Sequence, residues 1–134
     1  MKIHLLYIGK RRSREANLLA EDYARRIGRY CTFRMAEIKN EKAAEAYGRA
    51  VKVVLDPGGE MLSSRQFAKF IETSSGEIAF FVGGADGFSG SFRDGADRLL
   101  SLSRMTLPHE LARVVLAEQI YRAFAILGNH PYAR

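Results

Sequence analysis

A buried strand that ends in glycines constrains the fold of this chain more than any other feature. Residues 78–82 (IAFFV) are apolar without alternation and run directly into residues 83–87 (GGADG). A strand that is apolar on both faces is typical of a parallel sheet, in which helices cover each face. The segment therefore predicts an α/β fold in which a glycine loop follows a buried strand.

The rest of the chain alternates between strand and helix patterns, as that fold requires. Strands are predicted at residues 2–8, 32–38, 51–56 and 99–103, and helices at 13–29, 41–50, 91–98 and 109–127. Ser63 and Gln66 form a capping-box pair that marks one more helix. The strand over 51–56 should be a central one that stops at Pro57. We expect a single domain over residues 1–134, with a mostly parallel sheet and helices on both of its faces.

Composition excludes several classes of protein. With 134 residues, 47% of them hydrophobic, the chain has enough apolar material for one packed core and is not disordered. Its longest apolar runs are five residues, far below the roughly 20 that a membrane-spanning helix needs. No secretory signal opens the chain, so we expect a cytoplasmic location. A lone cysteine, Cys31, and the absence of zinc-ligand spacing predict neither a disulfide nor a metal.

The positive charge is concentrated in the first half of the chain. Residues 1–67 carry 14 basic and 8 acidic side chains, whereas residues 68–134 carry 7 of each. Arginines predominate in two clusters, which are Lys10, Arg11, Arg12 and Arg14, followed by Arg25, Arg26 and Arg29. Guanidinium groups bind phosphate in a bidentate manner, which favours a nucleic-acid partner. A solvated helix face remains the alternative reading of the same pattern.

Three segments together resemble the RlmH family of SPOUT methyltransferases. They are VVLD (53–56), FFVGGADGF (80–88) and LSLSRMTLPHELARVVLAEQIYRAFAILGNHPYAR (100–134). The resemblance runs from about residue 51 to the last residue, with the order and spacing of the three motifs preserved. It implies an enzyme that uses S-adenosylmethionine to methylate N3 of a pseudouridine in large-subunit ribosomal RNA. It also implies a trefoil knot near the carboxyl terminus, which composition and periodicity do not indicate.

The resemblance further implies which residues bind the cofactor. They are Leu55, Gly84, Leu102, Ser103, Arg104, Met105, Thr106 and Leu107. A glycine allows close approach of main-chain groups to a ligand, and the leucines would form the apolar walls of a pocket for a flat ring. The alternative is that Leu55, Leu102 and Leu107 are ordinary core residues at strand ends.

The tail Asn129–Arg134 is the predicted source of catalytic side chains. Arg134 would bind phosphate or the developing oxyanion, Tyr132 would stack on or hydrogen-bond to the target base, and His130 would orient the tail or relay the proton. Members of the family carry a histidine between the tyrosine and the arginine, and here that position is Ala133. The sequence therefore does not indicate which group removes the proton from the acceptor nitrogen.

His109 either caps the last helix or lines the cofactor loop.

Partners and alternative functions follow from the same features. The helix predicted at 109–127 is apolar on most of its circumference, so we expect a homodimer in addition to ribosomal RNA or the ribosome as partner. Its Glu118 and Arg122 should pair with each other, and Tyr121 and Phe124 are core or dimer aromatics. One alternative function is an RNA-binding or ribosome-assembly protein that lost its chemistry through Ala133. Another is a different α/β nucleotide-binding enzyme, which the absence of GxGxxG and GxxxxGK[ST] disfavours.

Overall fold

Strands and helices alternate along residues 1–74 and 76–133, the part of the chain that this computed structural model describes. The strands are β1 (Lys2–Tyr7), β2 (Thr32–Glu37), β3 (Val51–Glu60), β4 (Glu77–Val82) and β5 (Arg98–Leu100). The α-helices are α1 (Arg14–Ile27), α2 (Ser64–Thr73), α3 (Gly90–Asp94) and α4 (His109–Leu127). Two 3-10 helices span Glu41–Tyr47 and Pro131–Ala133.

The strands form one parallel sheet in the order β2-β1-β4-β3-β5. The central strand is β4, and its last five residues are buried, which explains why they are apolar without alternation. Tyr7 and Val82 lie in register, so the loops after β1 and β4 leave the sheet side by side. The predicted α/β fold with a parallel sheet is confirmed.

Helices cover both faces of the sheet, as predicted. On one face α1, α2 and α4 bury a large core that includes Phe80 of β4 and Leu116 of α4. On the other face the 3-10 helix Glu41–Tyr47 and α3 cover a smaller core around Phe81 and Phe92. Neighbouring residues of β4 thus point into different cores, since successive side chains of a strand alternate between faces.

The strand β3 is longer than predicted because its pairing with β5 resumes beyond the turn at Pro57. Leu55 and Glu60 both pair with Leu100, so residues 56–59 form a bulge rather than the end of the strand. The prediction of a stop at Pro57 was therefore wrong. A bulge tolerates a proline because the bulged residues lack the regular ladder hydrogen bonds.

Several other elements are shorter than predicted, among them the helix expected at 13–29, which is α1 (Arg14–Ile27). The helix expected at 41–50 is a 3-10 helix that Asn40 caps and that ends before Gly48. The helix expected at 91–98 is the short α3, which ends at Gly95. The strand expected at 99–103 is β5, and the chain leaves the sheet after Leu100. The capping box of Ser63 and Gln66 is present at the start of α2.

The last helix has the predicted bounds, but other elements of the same chain cover more of its surface than we expected. α4 packs between α1 and α2 and against the sheet. Its large buried side chains include Leu116, Ile120 and Tyr121, while Leu111 and Leu127 are exposed. Much of the apolar circumference that led us to expect a homodimer is therefore covered within one chain. The homodimer stays a prediction.

Candidate active site

A cavity of about 490 Å³ lies at the carboxyl edge of the sheet, between the bulge of β3 and the loops that follow β4 and β5. Open parallel sheets bind ligands at this edge. All residues predicted to bind the cofactor line this cavity: Leu55, Gly84, Leu102, Ser103, Arg104, Met105, Thr106 and Leu107. The turn at Asp56 and Pro57 within β3 therefore meets the loops after β4 and β5, as the sequence predicts.

The glycine loop after β4 forms part of the cavity and leaves little space for side chains. A Cβ atom on Gly84 would lie 3.4 Å from the carbonyl oxygen of Ile8. A Cβ atom on Gly83 would lie 3.2 Å from the ring of Phe88. Gly87 has a φ of 69°, which an L side chain rarely adopts. These glycines allow the loop to pack against β1 and fold back tightly beside the cavity.

The loop after β5 is shaped by its own serine hydroxyls. The hydroxyl of Ser101 donates to the carbonyl oxygen of Ser103 at 2.9 Å, and the hydroxyl of Ser103 accepts from the N–H of Met105 at 2.9 Å. Met105 is 80% exposed although it lines the cavity. Ser103 thus holds the loop in shape, which is a role that its prediction as a cofactor contact did not include.

The walls of the cavity fit a nucleoside-type cofactor. Phe88, Leu100 and Ala112 add apolar surface to the three predicted leucines. Apolar walls with a few polar groups, in a cavity of several hundred Å³, are typical of sites for such ligands. Main-chain N–H and C=O groups of the two loops supply donors and acceptors for the edge of a base.

Two titratable residues on the cavity wall were not predicted as cofactor ligands. Asp56, at the end of the VVLD motif, accepts a hydrogen bond from the N–H of Gly58 at 2.9 Å and pairs with Arg93 at 3.3 Å. His109 lines the cavity, which was one of the two roles considered for it. The cap position of α4 is Pro108, without a side-chain cap.

The carboxyl-terminal tail packs along α1 and α4. The hydroxyl of Tyr132 donates to the carboxylate of Glu118 at 2.5 Å and lies 3.3 Å from the hydroxyl of Tyr23. Its ring meets that of Tyr121 edge-on, with 4.6 Å between centroids. Neither Tyr132 nor His130 is among the residues that line the cavity. Within one chain, the structure does not bring these two predicted catalytic residues to the cofactor cavity.

The environment of the tail determines which groups can donate and accept protons. Burial, together with the hydrogen bond to Glu118, raises the pKa of Tyr132 above its ordinary value, so the phenol stays protonated near neutral pH. The Nδ1 atom of His130 accepts the N–H of Tyr132 at 3.1 Å. A neutral imidazole in this arrangement carries its proton on Nε2 and is a donor there. In this conformation the phenol of Tyr132 keeps its proton and the Nδ1 atom of His130 is engaged by the main chain.

The last two positions bear on the catalytic prediction in different ways. Ala133 lies in the 3-10 helix Pro131–Ala133 and donates its N–H to the carbonyl of His130 at 3.0 Å. Arg134, predicted to bind phosphate or an oxyanion, lies outside the described residues. The catalytic roles of His130, Tyr132 and Arg134 stay predictions.

Sequence reasoning found the Glu118–Arg122 pair but missed its third member. Arg122 donates to Glu118 at 2.9 and 3.1 Å, as the four-residue spacing predicts. The same carboxylate accepts the hydroxyl of Tyr132, which the chain brings back after α4 ends at Gly128. No short-range spacing could reveal that contact, since it depends on how the tail folds back.

Two kinds of site are absent from the described residues. Residues 1–74 and 76–133 hold no group of three or more His, Cys, Asp or Glu side chains placed to bind a metal ion. No helix in the same ranges has the length and apolar character to cross a bilayer.

The chain is similar to known proteins along nearly its whole length. The family model described as "Predicted SPOUT methyltransferase" matches residues 1–133. The protein named "Ribosomal RNA large subunit methyltransferase H" from Solibacter usitatus (strain Ellin6076) is 47% identical over 139 aligned residues, which cover 100% of both chains.

Solved structures show a similar fold at low sequence identity. A probable methylase family protein from Haemophilus influenzae Rd KW20 is 14% identical, with a TM-score of 0.66 over 95% of this chain and 68% of that one. The methyltransferase Lpg2936 from Legionella pneumophila, solved in complex with the bound cofactor SAM, is 14% identical, with a TM-score of 0.57 over 92% of this chain and 66% of that one. At this level of sequence identity, the two matches show similarity of fold alone.

Proposed function

Because this chain belongs to the SPOUT methyltransferase family, we propose that it transfers the methyl group of S-adenosylmethionine to large-subunit ribosomal RNA. The proposed acceptor is N3 of a pseudouridine, as the family resemblance implies. A relative that matches along its whole length and is named for this RNA supports the substrate. A ribosomal substrate also implies a cytoplasmic location.

The observation that carries the proposal is the convergence of eight predicted residues on one cavity. These residues come from β3 and from the loops after β4 and β5, which other elements separate along the chain, so their meeting depends on the whole fold. A solved structural neighbour contains the same cofactor, which supports its assignment here. We propose that the whole chain acts as one domain in forming this site.

The cavity residues have separate tasks in this proposal. Leu55, Leu102 and Leu107 would pack against the flat base, and free main-chain groups of the loops after β4 and β5 would bind its edge. S-adenosylmethionine supplies an already activated methyl group on a sulfonium. The chain therefore needs no nucleophile of its own, and its contribution is to bind, orient and exclude water.

The separation between the tail and the cavity supports a homodimer. Tyr132 is held against Glu118, whereas the cavity meets α4 at Ala112, about 9 Å nearer the start of the helix at 1.5 Å per residue. A second copy could bring its tail to the cavity without disturbing this contact. Met105, which lines the cavity, and Leu111, which precedes the cavity residue Ala112 on α4, are exposed and offer apolar surface for that copy. We therefore propose that each site is completed by the tail of the other subunit.

The tail residues are proposed to act on the base. Tyr132 stays protonated and donates a hydrogen bond or stacks, His130 orients the tail, and Arg134 binds phosphate or the negative charge that develops on the base. Arg134→Ala should lower kcat and leave the affinity for the cofactor nearly unchanged. Calorimetry and steady-state rates on the same preparation measure both. An equal loss in the two would show that Arg134 belongs to the cofactor site.

A direct test is methyl transfer from labelled S-adenosylmethionine to large ribosomal subunits that lack the modification. Incorporation at a single pseudouridine, located by mass spectrometry of RNA fragments, is the expected result. Cofactor binding without transfer would favour the alternative of an assembly protein that lost its chemistry through Ala133. Absence of cofactor binding at millimolar concentration would contradict the proposed function altogether.

A further inference from the structure

Asp56 is the one carboxylate among the described residues that line the cofactor cavity. The other titratable side chains on that wall are Arg104 and His109. The side chain of Asp56 is 15% exposed, so it is shielded from most of the bulk water but remains in contact with solvent. A few polar groups placed among apolar walls orient the ligand in a pocket of this kind. Asp56 is therefore a candidate for a direct contact with the cofactor.

The bulge of β3 holds Asp56 in a fixed position. Its Oδ2 atom accepts the N–H of Gly58 at 2.9 Å. Gly59, the next residue, packs so closely on β5 that an added Cβ would lie 2.6 Å from the carbonyl carbon of Leu99. The turn that carries the carboxylate is thus fastened both to itself and to the neighbouring strand. A ligand meets an acceptor that is already in place, which lowers the entropy cost of binding.

The carboxylate of Asp56 has acceptor capacity left after its contacts within the chain. Its two oxygens offer about four lone-pair positions. Gly58 takes one of them, and the guanidinium of Arg93 lies 3.3 Å from Oδ1. Arg93 is 43% exposed, and an exposed ion pair of this kind is weak. About two positions therefore remain for a ligand, which matches the two hydroxyls of a vicinal diol.

We propose that Asp56 binds the 2′- and 3′-hydroxyls of the ribose of S-adenosylmethionine. This inference rests on the proposed function and adds the group that recognises the sugar. Leu55, one residue earlier, belongs to the proposed pocket for the base, and the ribose is the part of the cofactor that is joined directly to the base. An acceptor beside Leu55 therefore meets the sugar before any more distant part of the molecule. In dinucleotide-binding folds an acidic side chain binds a ribose hydroxyl in the same manner.

The ammonium group of the methionine end is a weaker candidate for the same carboxylate. Arg93 already places one cation beside Asp56. A second cation at that point would be repelled by the first, whereas a neutral diol adds no charge. The ammonium is also separated from the base by the ribose and the sulfonium, so a group beside Leu55 lies farther from it.

The test measures the binding of two ligands, S-adenosylmethionine and 5′-methylthioadenosine, which keeps the base and the ribose but lacks the amino-acid part. The variants are Asp56→Ala and Asp56→Asn, and the control is Asp94→Ala, at an exposed aspartate of α3 that is not among the residues lining the cavity. We expect Asp56→Ala to raise the Kd of both ligands about 10- to 100-fold, as the loss of hydrogen bonds to a charged group does. Asp56→Asn keeps one carbonyl acceptor and should lose less. Asp94→Ala should stay within about twofold of the wild type.

Removal of the hydroxyls separates recognition of the ribose from a structural role of Asp56. The wild type should bind the 2′,3′-dideoxy form of 5′-methylthioadenosine about 10- to 100-fold more weakly than the parent compound. In Asp56→Ala this preference should largely disappear, and in Asp56→Asn it should shrink. The comparison is between two ligands on one protein, so a partial loss of stability in a variant does not alter it. Asp56→Asn, which keeps an acceptor for Gly58, provides the comparison if Asp56→Ala fails to fold.

Two results would overturn the inference. One is a preference for the hydroxyls that is as large in both Asp56 variants as in the wild type. The other is weaker binding of S-adenosylmethionine with unchanged binding of 5′-methylthioadenosine, which would assign Asp56 to the ammonium group.

The binding measurements also separate this inference from the proposed function. If the wild type shows the expected preference but methylates no large subunits, the proposed function fails and the role of Asp56 in binding ribose stands. If the wild type binds neither ligand at millimolar concentration, both are contradicted.

Discussion

The hydroxyl of Tyr132 donates a 2.5 Å hydrogen bond to the carboxylate of Glu118, and this contact holds the tail against the middle of α4. Arg122 donates to the same carboxylate, and its guanidinium lies 5.0 Å from the centre of the Tyr132 ring. One acidic side chain thus organises an aromatic and a cationic neighbour. Three of our predictions concern the tail that this contact secures, and one concerns the strand that frames the cavity.

Tyr132→Phe should loosen the tail and reduce methyl transfer. The change removes one hydrogen bond to a partly buried carboxylate, so we expect a loss of about 1–2 kcal/mol in the free energy of unfolding. Urea unfolding and initial rates measure the two effects. Tyr30→Phe is the matched control, because Tyr30 is 42% exposed and stacks on Phe124 through its ring alone. Equal stability of the two variants would contradict the prediction.

The stability of the fold should depend on Tyr132 at high pH. Because its pKa is raised in the folded chain by burial and by Glu118, its contribution is complete below about pH 10, the ordinary value for tyrosine. It is lost as the pH rises from there towards the higher folded value. The difference in unfolding free energy between wild type and Tyr132→Phe should therefore shrink above pH 10. A difference that stays constant with pH would show that the phenol ionises normally.

Ala133→His should raise the rate of methyl transfer if proton removal limits it. In the observed tail the phenol of Tyr132 keeps its proton and the Nδ1 atom of His130 is engaged by the main chain, whereas a positioned base contributes about 100-fold or more. We expect kcat to rise about 10- to 100-fold, with a new dependence on pH near 6.5. Ala133→Asn, which adds a polar side chain that takes up no proton, should not reproduce the gain. Identical rates in the wild type and in both variants would show that position 133 takes no part in catalysis.

Gly59→Ala should destabilise the fold by about 1–3 kcal/mol, as overpacking does. The added Cβ would lie 2.6 Å from the carbonyl carbon of Leu99 and 2.7 Å from the nitrogen of Leu100, and these backbone atoms cannot easily move aside. Gly90→Ala is the control, since the nearest neighbour of its added Cβ is the guanidinium of Arg93 at 3.9 Å. Thermal unfolding of the two variants side by side measures the difference. Comparable melting temperatures would show that the bulge of β3 adjusts.

The central parts of the fold were predictable because local pattern and tertiary position agree there. Residues 78–82 of β4 are all apolar because both faces of the strand are buried there, and α4 has the predicted bounds because Pro108 and Gly128 flank one long apolar segment. The cavity followed from the family motifs, since the loops after three neighbouring parallel strands open on one edge.

Other parts depend on contacts between distant residues, which sequence spacing does not contain. β3 passes Pro57 because Glu60 pairs with Leu100, and the length of a strand beyond a bulge is set by its partner. The buried position of Arg113 arises from its packing on Tyr7 and Asn17, at the far end of the chain. The residues around Arg113 in the sequence do not distinguish a buried arginine from an exposed one. Its burial could therefore not be predicted.

The all-parallel sheet has a consequence for how the protein is made. Each neighbouring pair of strands requires a crossover, and Lys2 of β1 finds its partner Glu77 only after more than half of the chain has been synthesised. Such long-range pairing must close a large loop of chain before the stabilising contacts form. The entropy cost of this closure slows folding. During synthesis, the backbone N–H and C=O groups on one edge of β1 therefore lack a partner strand until β4 has emerged from the ribosome. Chaperone dependence during translation is the expected cost of this topology.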